Sequence, residues 1–144
     1  MTTSNSLLEL GRTKELIWDD ISVGEQKATN PTWQEIEAAI NSLSLPIRTM
    51  VVLENRDGCT LTVAGDVEHG FLVFVTVNDQ FFYVLANPEK RSGQTEMTIG
   101  YQPGFYANKI LTDAGTALKV ARTFFLSGSK EEEVDWTIDD SPCA

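Results

Sequence analysis

Two stretches of the chain carry apolar residues at helical spacing. In the first, Trp33, Ile36 and Ile40 recur every three or four positions. Thr32 precedes this run and, together with Glu35, matches the capping box that marks a helix start. A helix is therefore predicted from this point up to a proline a few residues beyond the last apolar position.

The second predicted helix begins at Asp113, whose side chain is suited to accept hydrogen bonds from free N–H groups, and it ends at Gly128. Lys119 and Arg122 are expected to face water. The apolar face of this helix is predicted to hold Ala114, Ala117, Leu118, Ala121 and Phe125.

Elsewhere apolar and polar residues alternate, which predicts strands and turns. The segments are residues 50–54 and 59–63 around a turn at 55–58, residues 71–77 and 80–85 around 78–79, a strand ending near Gly100 with its return partner in 106–111, and a last edge strand in 134–139. This pattern predicts a single-domain α+β fold, in which an antiparallel sheet of about five or six strands packs against two helices.

The segments 71–77 and 80–85 are apolar on both faces. That pattern is typical of central strands, covered by helix on one side and by something else on the other. A side left uncovered would be a docking surface.

Residues 1–29 show no sustained period, and we treat them as an N-terminal arm of uncertain structure before the domain of residues 30–144. The first 30 residues contain no apolar run typical of a signal peptide or a spanning helix. Cys59 and Cys143 lie in no metal-binding or disulfide-like motif, so both are expected to be reduced thiols. These features predict a cytoplasmic protein without a membrane partner.

The charge of the chain limits the classes of molecule that it is expected to bind. Its 21 acidic and 11 basic residues give a formal net charge of -10. Such a chain repels phosphate, which argues against direct binding of nucleic acid or anionic membranes and makes a basic protein the natural complement. The simpler interpretation is that the acidity only aids solubility.

Catalytic residues are hard to find in this sequence. His69 is the only histidine, and it lies in a predicted turn beside Asp66 and Glu68 with no nucleophile motif and no metal-ligand spacing. The segment 100–104 lacks the Lys and Ser/Thr of a phosphate-binding loop. We therefore expect a protein that is not an enzyme and needs no cofactor.

Two groups of residues are candidates for recognition. Tyr101, Phe105 and Tyr106 crowd a predicted Pro/Gly loop, where docking and structural packing are both open interpretations. The second group is an acidic C-terminal run that either is merely solvated or imitates nucleic-acid phosphates toward a basic protein cleft. Its members are Glu131, Glu132, Glu133, Asp135, Asp139 and Asp140, whereas the aromatic residues assigned to the core are Trp33, Phe74, Phe81 and Phe125.

In their order and spacing, five of these features resemble the Imm1 family of bacterial immunity proteins. They are residues 30–40 (NPTWQEIEAAI), 55–58 (NRDG), 100–106 (GYQPGFY), 121–128 (ARTFFLSG) and Trp136. The resemblance covers about residues 30–138 and implies an α+β protein that is encoded beside a toxin of a polymorphic or contact-dependent system and protects the producing cells.

The resemblance also implies a partner, because toxins linked with this family are often zinc-dependent nucleic-acid deaminases. A deaminase acting on DNA is expected to have a basic substrate face. We therefore expect an antitoxin that occludes the active site or substrate path of such a toxin. The contact residues hypothesised are Tyr101, Gln102, Phe105, Tyr106, Asp57, Asp66, Glu68, Glu133, Asp135 and Trp136.

Two other classes of function remain open from the sequence. One is a non-enzymatic binding or scaffold module of the cytoplasm, which could form a homodimer by pairing through an exposed strand edge. The other is a small hydrolase that depends on His69.

Overall fold

The structure, a computed structural model, describes residues 11–78, 80–89 and 91–139, which form ten strands and two α-helices. The first ten residues of the predicted arm, Asp140 and Cys143 lie outside the described residues. The helices are α1 (Trp33–Asn41) and α2 (Ala114–Ser127). The strands are β1 (Thr13–Trp18), β2 (Gln26–Thr29), β3 (Met50–Asn55), β4 (Cys59–Asp66), β5 (Gly70–Val77), β6 (Phe81–Leu85), β7 (Gln94–Ile99), β8 (Gln102–Ala107), β9 (Leu111–Thr112) and β10 (Trp136–Asp139).

Seven strands lie side by side in the order β10-β6-β5-β4-β3-β1-β2, and the short β9 pairs with β5. Every pair is antiparallel, so the predicted α+β class with its antiparallel sheet is confirmed. The sheet has more strands than expected because residues 13–29, whose structure the sequence left open, supply β1 and β2 at one edge. Their short, half-polar segments carry too weak a period to be recognised beforehand.

Both helices start and stop where their capping residues indicate. The Glu35 N–H donates to Thr32 Oγ1 at 3.2 Å, and the Thr32 N–H donates to Glu35 Oε1 at 2.9 Å, which completes the capping box. In α2, Asp113 accepts from the Thr116 N–H at 2.7 Å, and Gly128 ends the helix with a φ of 76°. Glycine suits this left-handed position because it has no Cβ to clash.

Both helices pack on one face of the sheet and form the main core with it. The largest fully buried side chains include Phe124, Phe125, Ile36, Ile40 and Leu53. Neither helix in the described part of the chain is long and apolar enough to span a membrane.

Two details of the predicted packing were wrong. Arg122, expected to face water, lies over the Trp33 ring at 5.3 Å from the ring centroid, because its long side chain can cover the aromatic surface beside α1. Phe81, expected in the core, is 48% exposed at the start of β6, and the groove at the C-terminal end of α2 is lined by Val77 and Tyr83 but not by Phe81.

The opposite face of the sheet is covered by a hairpin of β7 and β8, which form a two-stranded sheet of their own. The second covering layer expected over β5 is therefore present. The return strand, however, begins at Gln102 and ends at Ala107, so its prediction at 106–111 was wrong. Residues Asn108–Ile110 form a 3₁₀ turn instead. Pro103 favoured a loop in the sequence, but it lies in β8 opposite Thr98. This is a pair of residues that exchange no backbone hydrogen bonds, so the missing N–H of proline is tolerated there.

Candidate functional site

The β7–β8 hairpin is joined to the main sheet by side-chain packing. Met97 on β7 and Tyr106 on β8 point inward and are buried against Ala64 and Leu72 of the sheet. Between β8 and the sheet lies a groove of about 440 Å³. Its lining includes Met50, Phe74, Ile99, Gly104, Phe105 and Tyr106.

Two large aromatic side chains of this hairpin are exposed to solvent. Phe105 is 63% exposed and lies directly opposite Glu96 in the register of the two strands. Tyr101, at the turn, is 62% exposed, and the neighbouring Gln102 is exposed as well. The turn tyrosine, an aromatic ring and a carboxylate are thus exposed on the hairpin, and we define the hairpin surface by Glu96, Tyr101 and Phe105.

The turn of the hairpin holds its tyrosine in an unusual backbone conformation. Gly100 has a φ of 59° and Tyr101 a φ of 69°, so both central residues of the two-residue turn are left-handed. A side chain other than glycine in that region costs about 1–2 kcal/mol. The hairpin therefore carries a strained residue at a position that exposes a large ring.

A buried carboxylate fixes this turn to the sheet. Asp19, which is 7% exposed, accepts from the Thr49 N–H at 2.8 Å, from the Met50 N–H at 3.0 Å and from the Thr49 hydroxyl. The same hydroxyl oxygen accepts from the Gly100 N–H at 2.9 Å. Asp19 acts through Thr49 on the residue that precedes Tyr101, so it is a positioning residue for the hairpin surface.

The neighbouring Asp20 adds a second link. Its carboxylate accepts from Ser22 N–H at 2.8 Å and from Arg48 Nε at 3.2 Å, and its backbone oxygen accepts from the Tyr101 hydroxyl at 3.4 Å. The Ser22 hydrogen bond is the largest influence on the pKa of Asp20, which lies below its usual value. The carboxylate is therefore ionised beside the hairpin turn at neutral pH.

Asp66 is the last residue of β4, and Glu68 lies in the turn between β4 and β5. Asp66 is 4% exposed; it accepts from Leu45 N–H at 2.9 Å and from His69 N–H at 2.9 Å, and it contacts His69 Nδ1 at 2.7 Å. Burial by itself raises the pKa of Asp66, but these hydrogen bonds outweigh it and hold that pKa below its usual value. Asp66 is thus part of the turn's framework, while Glu68 is exposed.

The lowered pKa of Asp66 gives a prediction about acid stability. A carboxyl whose pKa is lower in the folded state stabilises the fold above its unfolded pKa, and this contribution is lost as the pH falls through the folded value. We expect Asp66→Asn to be less stable than the wild type at pH 7, with a difference that shrinks below about pH 4. Urea unfolding of both proteins at pH 7 and pH 3 measures this. A deficit of equal size at both pH values would contradict the prediction.

The structure separates the remaining hypothesised contact residues from the hairpin. Asp57 lies in the β3–β4 turn, at the opposite end of β4 from Asp66 and roughly 25 Å away for a strand of this length. Glu133, Asp135 and Trp136 belong to the segment that leads into β10 at the sheet edge. The ten residues therefore fall into four places.

The acidic C-terminal run is only partly available to a partner. Glu131 is 9% exposed and accepts from the Thr123 hydroxyl, a hydrogen bond that is the first cause of its lowered pKa. Glu132, Glu133 and Asp135 are all exposed. Of these, Glu133 forms an ion pair with Lys119 Nζ at 2.8 Å. The Trp136 ring is half-buried, with its Nε1 donating to the Glu131 carbonyl at 2.7 Å.

The structure places the aromatic and turn residues that the sequence predicted for recognition on one hairpin, and their contact with a toxin stays a prediction. Tyr101 and Phe105 are exposed on the hairpin, and Gln102 is exposed on the side of β8 that it shares with Tyr106, which is 9% exposed and belongs to the core beneath. Sequence reasoning missed Asp19 and Thr49. Nothing in the order of residues shows that Asp19 binds Thr49 or that Thr49 accepts from the Gly100 N–H.

The comparison with protein families gives a match across most of the chain. The family model described as "Immunity protein Imm1" matches residues 24–138 of the 144. No curated protein and no solved structure matches the chain significantly. The resemblance read from the sequence motifs is confirmed, and the chain belongs to the Imm1 family of immunity proteins.

Proposed function

We propose that this protein binds one cognate toxin through the hairpin surface and neutralises it by covering its active site or the path of its substrate. The protein needs no chemistry of its own for this, and it acts in the cytoplasm of the cell that makes it. The family supports the immunity role. The observation that carries the choice of surface is the exposure of Tyr101 and Phe105 on a hairpin held in place from beneath.

Exposed aromatic rings on a fixed support are well suited to binding a protein. Tyrosine and tryptophan are enriched among residues that dominate interface energy, and large rings contribute much contact area for little loss of side-chain freedom. The anchoring of Gly100 through Thr49 and Asp19 limits the movement of the turn before binding. Less ordering is then needed when the toxin docks.

The toxin that suits this surface is basic. Glu96 lies opposite Phe105 and adds negative charge, in a chain whose formal net charge is -10. Opposite charges steer two proteins together and favour one orientation. We infer that the toxin is a nucleic-acid deaminase of a polymorphic toxin system, because toxins linked with the Imm1 family are often of this kind, and the basic substrate face expected of such an enzyme would complement the acidic chain.

A titration tests this proposal. The toxin encoded beside this protein is assayed for deamination of single- and double-stranded DNA and of RNA while the immunity protein is added. We expect complete inhibition near an equal molar ratio and a tight interface of about 1,600 Å². Persistent toxin activity at saturating immunity protein would refute the immunity mechanism, and inhibition of a toxin with some other activity would refute only the deaminase assignment.

A further inference from the structure

The sheet ends in the edge strand β10, at the opposite side of the strand order from β1 and β2. β10 pairs with β6 on one side, and among the described ranges 11–78, 80–89 and 91–139 no strand lies on its other side. An edge of this kind presents unpaired N–H and C=O groups, which another chain can use to add a strand.

The register shows which backbone groups face outward. The Ala86 N–H donates to the Asp135 carbonyl at 2.9 Å, and Thr137 lies opposite Val84 two residues further along. In an antiparallel pair, residues alternate between steps that exchange hydrogen bonds with the partner strand and steps that do not. The N–H and C=O groups of Trp136 and Ile138 therefore point away from β6.

Apolar side chains surround this free edge on the helix side of the sheet. Ile138 is 67% exposed and lies opposite Tyr83, while Phe81 on the same face is 48% exposed. Beyond the end of α2, a shallow groove of about 260 Å³ continues this surface to Cys59 and Val77. We call Phe81, Tyr83 and Ile138 together the edge patch.

The charge beside the edge patch points to the kind of partner. Residues 131–138 contain four acidic side chains and no basic one, and Glu132 and Asp135 are exposed. Within the described residues, the basic group recorded on the patch is Lys130, whose Nζ lies 4.9 Å from the centroid of the Tyr83 ring. A second copy of this chain would bring like charges together at the edge, whereas a basic segment would meet opposite ones.

We propose that the β10 edge is a second docking surface, to which the toxin adds an extended basic segment as a further strand. Outward-facing backbone groups of Trp136 and Ile138 pair with that segment, an apolar side chain of the segment covers the edge patch, and its basic residues face Glu132 and Asp135. This inference rests on the proposed function but concerns a surface separate from the hairpin.

The test uses two substitutions at one position and the toxin encoded beside this protein as the probe. Ile138→Lys places a positive charge on the patch, and Ile138→Pro removes an N–H that faces outward rather than toward β6. We expect each to weaken toxin binding at least tenfold in a calorimetric titration. Thr29→Lys, at an exposed position on β2 at the opposite edge of the sheet from β10, is the matched control and is expected to bind like the wild type.

Hydrogen exchange distinguishes strand addition from other contacts. We expect the Ile138 amide of the wild type to exchange rapidly in the free protein and to become at least tenfold slower in the complex. Unchanged exchange, or wild-type affinity in both Ile138 variants, would overturn the inference. So would a homodimer of the free protein that Ile138→Lys dissociates. If the wild type itself fails to neutralise the toxin, the proposed function fails; if it neutralises the toxin while the Ile138 variants behave like it, only the edge inference fails.

Discussion

Replacing Phe105 with alanine is expected to weaken toxin binding about 30-fold while leaving the stability of the protein almost unchanged. The ring is 63% exposed in the free protein, so little core packing is lost with it. A central aromatic residue of an interface typically contributes 2 kcal/mol or more, which corresponds to roughly 30-fold in the dissociation constant. Calorimetric titration with the toxin measures the affinity, and urea unfolding measures the stability.

Leu126→Ala is the control for the Phe105 variant. Leu126 is 43% exposed on α2, which packs on the other face of the sheet from the hairpin. We expect the affinity of this variant to stay within about twofold of the wild type. Equal losses in the two variants would show that binding does not depend on the hairpin surface.

Removing the Asp19 carboxylate is expected to have the largest effect on stability. In Asp19→Ala, the Thr49 N–H, the Met50 N–H and the Thr49 hydroxyl lose their acceptor in a mostly buried place. Unsatisfied donors of this kind cost about 1–3 kcal/mol each, and part of that is recovered by water. We expect the free energy of unfolding to fall by about 3 kcal/mol, measured in urea, and toxin affinity to fall with it because the turn at Gly100 loses its support.

Asp19→Asn separates the positioning role from a purely structural one. The amide oxygen can still accept from the two backbone N–H groups, but the geometry around the Thr49 hydroxyl changes. We expect about half the loss of stability, together with a change in the chemical shift of the Gly100 amide. An Asp19→Ala protein within about 0.5 kcal/mol of the wild type would show that this network does not support the hairpin.

The parts of the fold predicted well are those specified by neighbouring residues. The Thr32–Glu35 capping box and the Asp113 and Gly128 caps lie within a few residues of the helices they delimit, so the sequence shows them directly. Strand β1 is different, because it pairs with β3, more than 30 residues further along, and β2 joins the sheet only through β1. Tertiary pairing of that kind leaves a weak local period.

In the candidate site, too, features set by neighbouring residues were predicted, and features set by tertiary contacts were not. The aromatic and turn residues of 100–105 are adjacent in sequence, and their exposure could be anticipated for Tyr101 and Phe105. Tyr106 was misjudged because a strand alternates its side chains, which turns it toward the core once β8 includes it. The exposure of Phe81 and Ile138 depends on tertiary packing at this end of the sheet, which no local pattern reveals.

The separate pairing of β7 with β8 has a consequence for how such proteins diverge. Because the backbone ladder of this hairpin is closed within itself, substitutions on its outer side leave the hydrogen bonding of the eight-stranded sheet untouched. Under the proposed function, replacement of Glu96, Pro103 or Phe105 would change the contact with the toxin while the fold beneath stays the same. On that proposal, toxin specificity and folding depend on different parts of the chain.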